Sequence, residues 1–247
     1  MFRPYAIAIF FGLAAITQPV LAQQPICDNM LPEIEDNAVA PGRILSREAR
    51  VHFYESRSDT KKICPTEADA CKRKGFLVSG DDILIGPAFG RFFCVGYIAP
   101  SARKVKGKFP ETTGFVLAKD VERLPPLESK AADWLGTWSR AAEAEITITQ
   151  VAGGKLRFKG EASLGALDEE RAKRGAVRTG EFEGEAAPKW GAVGIGPKGF
   201  SAEKPFGKEQ DECKVKLRQL GRYLAVEDNG ACGGMGVTFS GIYVRLK

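Results

Sequence analysis

The sequence predicts an all-β protein in two units, stapled by disulfides, with the second unit closed into a barrel. Three observations carry this. Apolar and polar residues alternate over Val51–Tyr54, Glu145–Gln150, Lys155–Lys159 and Thr179–Ala186, the period of half-buried strands. The second observation is an echo. Trp134-Leu135-Gly136-Thr137-Trp138-Ser139-Arg140 and Phe239-Ser240-Gly241-Ile242-Tyr243-Val244-Arg245 share the form aromatic-x-Gly-x-aromatic-x-Arg. One copy opens the C-terminal half and the other closes it. Pairing first and last strands is how a sheet removes its edges. The third is an even set of six cysteines, split between two segments that meet at Leu124-Pro125-Pro126-Leu127.

Length and charge bound the function. The chain has 247 residues, 44% of them hydrophobic, enough for one large or two ordinary domains. Its net charge of +5 comes from 36 basic and 31 acidic residues spread along both halves. No dense Lys/Arg block interleaved with aromatics marks a nucleic-acid footprint. A weak preference for anionic surfaces, whether cell-wall polymer or lipid headgroups, remains open. At the N-terminus Arg3, the apolar run Tyr5–Ile16 and Pro19-Val20-Leu21-Ala22 form a secretory signal peptide over residues 1–22, cut before Gln23. The apolar run is short for a bilayer span, so the expectation is a periplasmic or secreted protein without a membrane span after cleavage. An oxidising compartment turns the cysteines into disulfides. The domain split pairs Cys213 with Cys232 and Cys64 with Cys71, leaving Cys27 for Cys94. A metal site is not expected, since the chain has one histidine, His52, and no Cys-x-x-Cys spacing.

The first unit, residues 23–124, starts with an irregular lead that Cys27 ties down. A short strand at Gly42–Leu45 follows. Val51 and Phe53 lie on one face of the next strand, and Cys64–Cys71 is a small stapled loop. Phe76–Val78 and Asp82–Ile85 read as two strands joined tightly by Ser79-Gly80-Asp81. Arg91–Ile98 is a buried strand, and Lys119–Leu124 ends the unit after Thr113–Val116. Phe53-Tyr54, Gly80-Asp81, Val95-x-Tyr97, Thr113-Gly114-Phe115-Val116 and then Asp120 and Leu124 resemble a bacterial SH3-like domain. That resemblance spans Ala49–Leu124. It implies a small barrel that binds peptidoglycan or a peptide in a groove of Tyr54, Tyr97 and Phe115. The opposing reading makes Tyr97 and Phe115 core, because small barrels need large side chains to fill them.

Two prolines make residues 125–133 an extended linker, with a helical turn in Glu128–Asp133. The second unit, residues 134–247, is β by pattern. Gly153-Gly154 joins two alternating strands into a hairpin, Gly165–Gly175 is a charged excursion with one helical turn, and Gly191–Gly199 is a Gly-rich run. Gly136-Thr137-Trp138 resembles the opening strand of calycins, the lipocalin and avidin group of small up-and-down barrels. In that resemblance Arg245 closes the barrel by stacking on Trp138, worth ~0.5–2 kcal/mol. The polar residues that avidin sets on biotin are absent, since Ser139-Arg140-Ala141-Ala142 follows the Trp.

Chemistry is not prominent in this sequence. His52 sits beside Phe53 on a strand, and no nucleophile elbow or phosphate loop is present. Glu181, Glu183 and Glu185 share one strand face, where a solvated outer surface competes with a carboxylate pair for glycoside chemistry or a cation site. Asp228-Asn229-Gly230 reads as a turn. Ser240-Gly241-Ile242-Tyr243 resembles the Ser-Gly-x-Tyr motif of periplasmic lysozyme inhibitors, which implies that Ser240 and Tyr243 reach a lysozyme's catalytic acids. The sequence reading is therefore a non-enzymatic cell-envelope binding protein without cofactors. Its partner is peptidoglycan or an envelope protein. Lysozyme inhibition and carriage of an apolar ligand in the second barrel are the alternatives.

Overall fold

The structure is a computed structural model describing residues 27, 39–55, 64–102, 111–125, 130–141, 143–207 and 211–246. The expected signal peptide, most of the N-terminal lead and part of the proline linker lie outside the described residues. The described chain is all-β. The first sheet is built from β1 (Ala40–Ile44), β2 (Val51–Tyr54), β3 (Lys72–Leu77), β4 (Asp82–Phe89), β5 (Phe92–Ile98), β6 (Glu111–Leu117) and β7 (Val121–Arg123). Its order is β3-β2-β6-β5-β4-β1-β7. The tight turn expected after β3 is present, but the strands it joins do not pair. β3 lies against β2, and β4 between β5 and β1. The turn instead docks on the end of β1, with Gly80 N donating to Ile44 O (2.8 Å) and Ile44 N to Asp81 O (2.9 Å). This curls the sheet around Ile44, Val51, Phe53, Leu77, Ile83, Ile85, Val95 and Val116, all buried.

The second sheet contains β8 (Gly136–Ala141), β9 (Ala144–Gln150), β10 (Leu156–Leu164), β11 (Arg178–Ala186), β12 (Ala192–Ile195), β13 (Val215–Leu220), β14 (Tyr223–Asp228) and β15 (Gly241–Arg245). The order β11-β10-β9-β8-β15-β14-β13-β12 makes a nearly closed eight-stranded barrel. The echoed segments are neighbours: β8 pairs antiparallel with β15, Ser139 opposite Val244 and Trp138 opposite Arg245. β12 lies inside the Gly-rich run, where its Ala-Val-Gly-Ile carries too few large residues to show a strand period. At the seam between β11 and β12, a segment of the β14–β15 connection pairs with the start of β11. Glu181 N donates to Cys232 O (3.1 Å) and Gly234 N to Thr179 O (3.0 Å). Inside, Gly160 leaves the space that Phe182 fills, since a Cβ there would stand 2.1 Å from the Phe182 ring.

A helical turn, α1 (Ala131–Trp134), plugs one barrel end. Trp134 is fully buried, and its carbonyl accepts from Trp138 Nε1 at 2.8 Å. Asp133 O accepts from Gln219 Nε2 (2.9 Å) and from Arg245 Nη2. The Arg245 guanidinium lies 4.9 Å from the centre of the Trp138 ring. A second short helix, α2 (Glu169–Lys173), lies in the β10–β11 connection at the other end, with Asp168 as its N-cap. The disulfides are Cys27–Cys94, Cys64–Cys71 and Cys213–Cys232, the expected set.

The two sheets share a core. Outward-facing Leu220, Tyr223, Ala225, Ile242 and Val244 of the barrel pack against Tyr54, Leu84, Phe92, Ile98, Phe115 and Leu117 of the first sheet. The Tyr223 hydroxyl donates across this layer to Asp82 O (2.9 Å) and accepts from Ile98 N (3.4 Å) and Arg222 Nη1 (3.0 Å). Tyr223→Phe strips partners from two backbone groups in a dry layer. It is expected to cost about 1–3 kcal/mol, and chemical denaturation should still show one transition. Two separated transitions in the unmodified protein would mean that the layer does not couple the sheets.

Candidate functional site

Most residues that the sequence singled out for binding are core in the structure. Tyr54 is 5% exposed and Phe115 2%. The two sit on the face that packs against the barrel, around Phe92 and the disulfides of Cys94 and Cys71. Tyr97 is half-buried and donates to Asp81 Oδ1 at 3.0 Å. The groove of Tyr54, Tyr97 and Phe115 is therefore corrected. Tyr54 and Phe115 face the second unit, whereas Tyr97 packs against the other core of the sheet, so the three do not line one groove.

The Ser240–Tyr243 run is corrected in the same way. Tyr243 is 0% exposed, points into the barrel and donates to Phe239 O at 2.8 Å. Burial drives its phenol far above the usual tyrosine range. Ser240 is half-buried and its hydroxyl donates to Asp228 Oδ1, which also accepts from Thr238 Oγ1 (2.6 Å) and Ser240 N (3.2 Å). These bonds close the β14–β15 connection on itself. A loop able to enter an enzyme cleft would need both hydroxyls free.

The interior of the barrel is filled. Trp134, Trp138, Phe158, Phe182, Phe239 and Tyr243 all belong to its core, with Phe182 and Phe239 edge to face at 4.8 Å. Carriage of an apolar ligand therefore lacks its vessel. A cleft of about 720 Å³ does open beside the Cys213–Cys232 disulfide, but glutamates line it. Glu145, Glu161 and Glu181 stand opposite one another on β9, β10 and β11. Glu181 to Glu185 thus face outward as expected, with Phe182 inward. Arg157 bridges to Glu185 (2.6 Å) and Lys159 to Glu161 (2.6 Å). Among the described residues, no group of three or more His, Cys, Asp or Glu side chains is arranged to hold a metal ion.

The first unit does expose aromatic surface, on a strand the sequence did not single out. β3 is the outermost strand of its sheet, and Phe76 stands opposite His52 of β2. Phe76 is 41% exposed, and Val78 is similarly open. The Arg50 guanidinium lies 4.5 Å from the Phe76 ring centre, and the His52 ring meets it edge-on at 6.1 Å. Lys74 is exposed on the same strand face, while Lys72 is drawn to Asp69 at 2.9 Å. The result is a part-exposed aromatic ring with a guanidinium over one face, the His52 ring at its edge and Lys74 nearby. His52 was legible as a strand residue, but its partner was not, because cross-strand register decides it. Compared with known proteins, the chain matches no family model, no curated protein and no solved structure.

Tyr97 offers a check on this packing. Burial first, and then its bond to the Asp81 carboxylate, push its phenol up to about 12. An unfolded tyrosine titrates near 10, so the folded state holds this proton through the intervening range. Stability is intact below pH ~10 and falls as pH rises towards ~12. Denaturant midpoints across that range should decline less steeply in Tyr97→Phe than in the unmodified protein.

Proposed function

We propose that the chain is a non-enzymatic binding protein of the cell envelope, exported through its N-terminal segment. Its first unit recognises peptidoglycan. The observation that carries this reading is the exposed Phe76 ring held between Arg50 and His52. A pyranose presents flat C–H faces that lie on an aromatic ring, and cations beside the ring meet the carboxylates of the stem peptides. The three disulfides suit an oxidising compartment. The SH3-like reading of the segment points the same way, with the contact moved from Tyr54 and Phe115 to Phe76.

Because the sheets share a core, the test uses the full chain from Gln23 rather than separated halves. It is expected to pellet with purified sacculi, less in high salt, where exposed cations are screened. Phe76→Ala should weaken binding on the order of tenfold, as loss of an aromatic anchor does. Its stability should stay within ~0.5 kcal/mol because the side chain is exposed. Equal pelleting of Phe76→Ala and the unmodified protein would overturn the reading.

A further inference from the structure

The connection from β11 to β12 turns at two residues, Trp190 and Gly191. Lys189 and Ala192 close it by exchanging bonds, N to O at 2.8 and 2.9 Å. Both turn residues have positive φ, 47° at Trp190 and 74° at Gly191. This is the mirror-image turn that favours Asn-Gly, because its first position is left-handed. A tryptophan there is strained, since its Cβ crowds the following carbonyl. It is also 81% exposed, whereas Trp134 and Trp138 are buried. Strain and exposure of the largest aromatic side chain coincide at one tip, and no packing among the described residues accounts for either.

The antiparallel registers place this tip at the end of the barrel plugged by α1. The β9–β10 turn at Gly153–Lys155 and the C-terminal end of β15 lie there as well. Lys130, Lys155 and Lys189 are exposed at this end, and Leu246 is 37% exposed. The acids nearby are engaged. The carboxylate of Asp133 accepts from Lys130 N (2.9 Å). The carboxyl of Glu203, whose field Lys189 and Lys216 enter, is held low chiefly by a bond from Ser201.

We infer that Trp190 is a membrane-contact residue that seats this end of the barrel on an anionic phospholipid surface. A two-residue convex tip has no walls with which to surround a sugar or small solute. A bilayer interface supplies the depth itself, and the indole, apolar in body and polar at its N–H, partitions to headgroup level. Lysines around the tip meet lipid phosphates. This contact is separate from Phe76 and independent of the peptidoglycan reading.

The test uses the full chain from Gln23 with vesicles of phosphatidylglycerol and phosphatidylcholine, against vesicles of phosphatidylcholine alone. Because the other two tryptophans are buried, iodide quenching reports Trp190. The anionic vesicles should shift its emission to the blue and reduce quenching at least threefold. Trp190→Asn relieves the turn strain, so it should fold as well as the unmodified protein, yet its pelleting with these vesicles should fall at least fivefold. Lys189→Glu should weaken pelleting with the anionic vesicles. Unchanged quenching on adding vesicles, or equal pelleting of Trp190→Asn, overturns the inference. Shielding of Trp190 by lipid-free sacculi, or by raising protein concentration alone, also overturns it, in favour of a glycan or a second copy.

Discussion

The apolar layer between the two sheets is the constraint on which the rest of the molecule depends. A β-barrel ordinarily turns a polar face to water, but strands β13, β14 and β15 place buried residues on both faces. Leu224, Val226 and Tyr243 point inward while Tyr223, Ala225, Ile242 and Val244 point outward into the layer. The same burial fixes the first sheet, whose β2, β4, β5 and β6 also have a core on each face. Apolar contact is not directional, so polar groups must set the registration. Tyr223 does this by joining Asp82 O and Ile98 N through one hydroxyl. Arg222 adds a bond to Ile98 O from beside it.

This double burial explains which parts of the fold were legible. Strands with one wet face show a clean alternation, and Glu145–Gln150, Lys155–Lys159 and Thr179–Ala186 fall on β9, β10 and β11. The Trp138 and Tyr243 echo was legible for a different reason. The strands that begin and end the second unit in sequence pair with each other, and both carry an inward aromatic followed by Arg. The glycine-rich β12 carried no period at all. The pairing of β3 with β2 rather than β4 depends on β1 entering from far along the chain, and no local pattern records that.

The candidate site was legible only in part, and the errors share one cause. Tyr54, Phe115 and Tyr243 are aromatic residues on well-formed strands, which makes them equally good as ligand platforms or as core. Sequence supplies the side chain but not what covers it. His52 and Phe76 become a platform because β3 is an edge strand that the second unit does not reach. Trp190 carried a signal that was readable in principle. A Lys-Trp-Gly sequence after proline, between two β runs, leaves two residues for the turn and one of them is not a turn former.

Filled interiors push recognition outward. The barrel of this protein is occupied by its own aromatics, and the α1 plug with Trp134, Trp138 and Arg245 closes one end. Ligands are then met by convex or flat surfaces, where affinity depends on side chains whose exposure the fold does not require. Phe76 and Trp190 are such residues, one with a stacked cation and the other with backbone strain. They lie in different sheets joined by a shared apolar layer, so contacts at the two places would be held at a fixed separation.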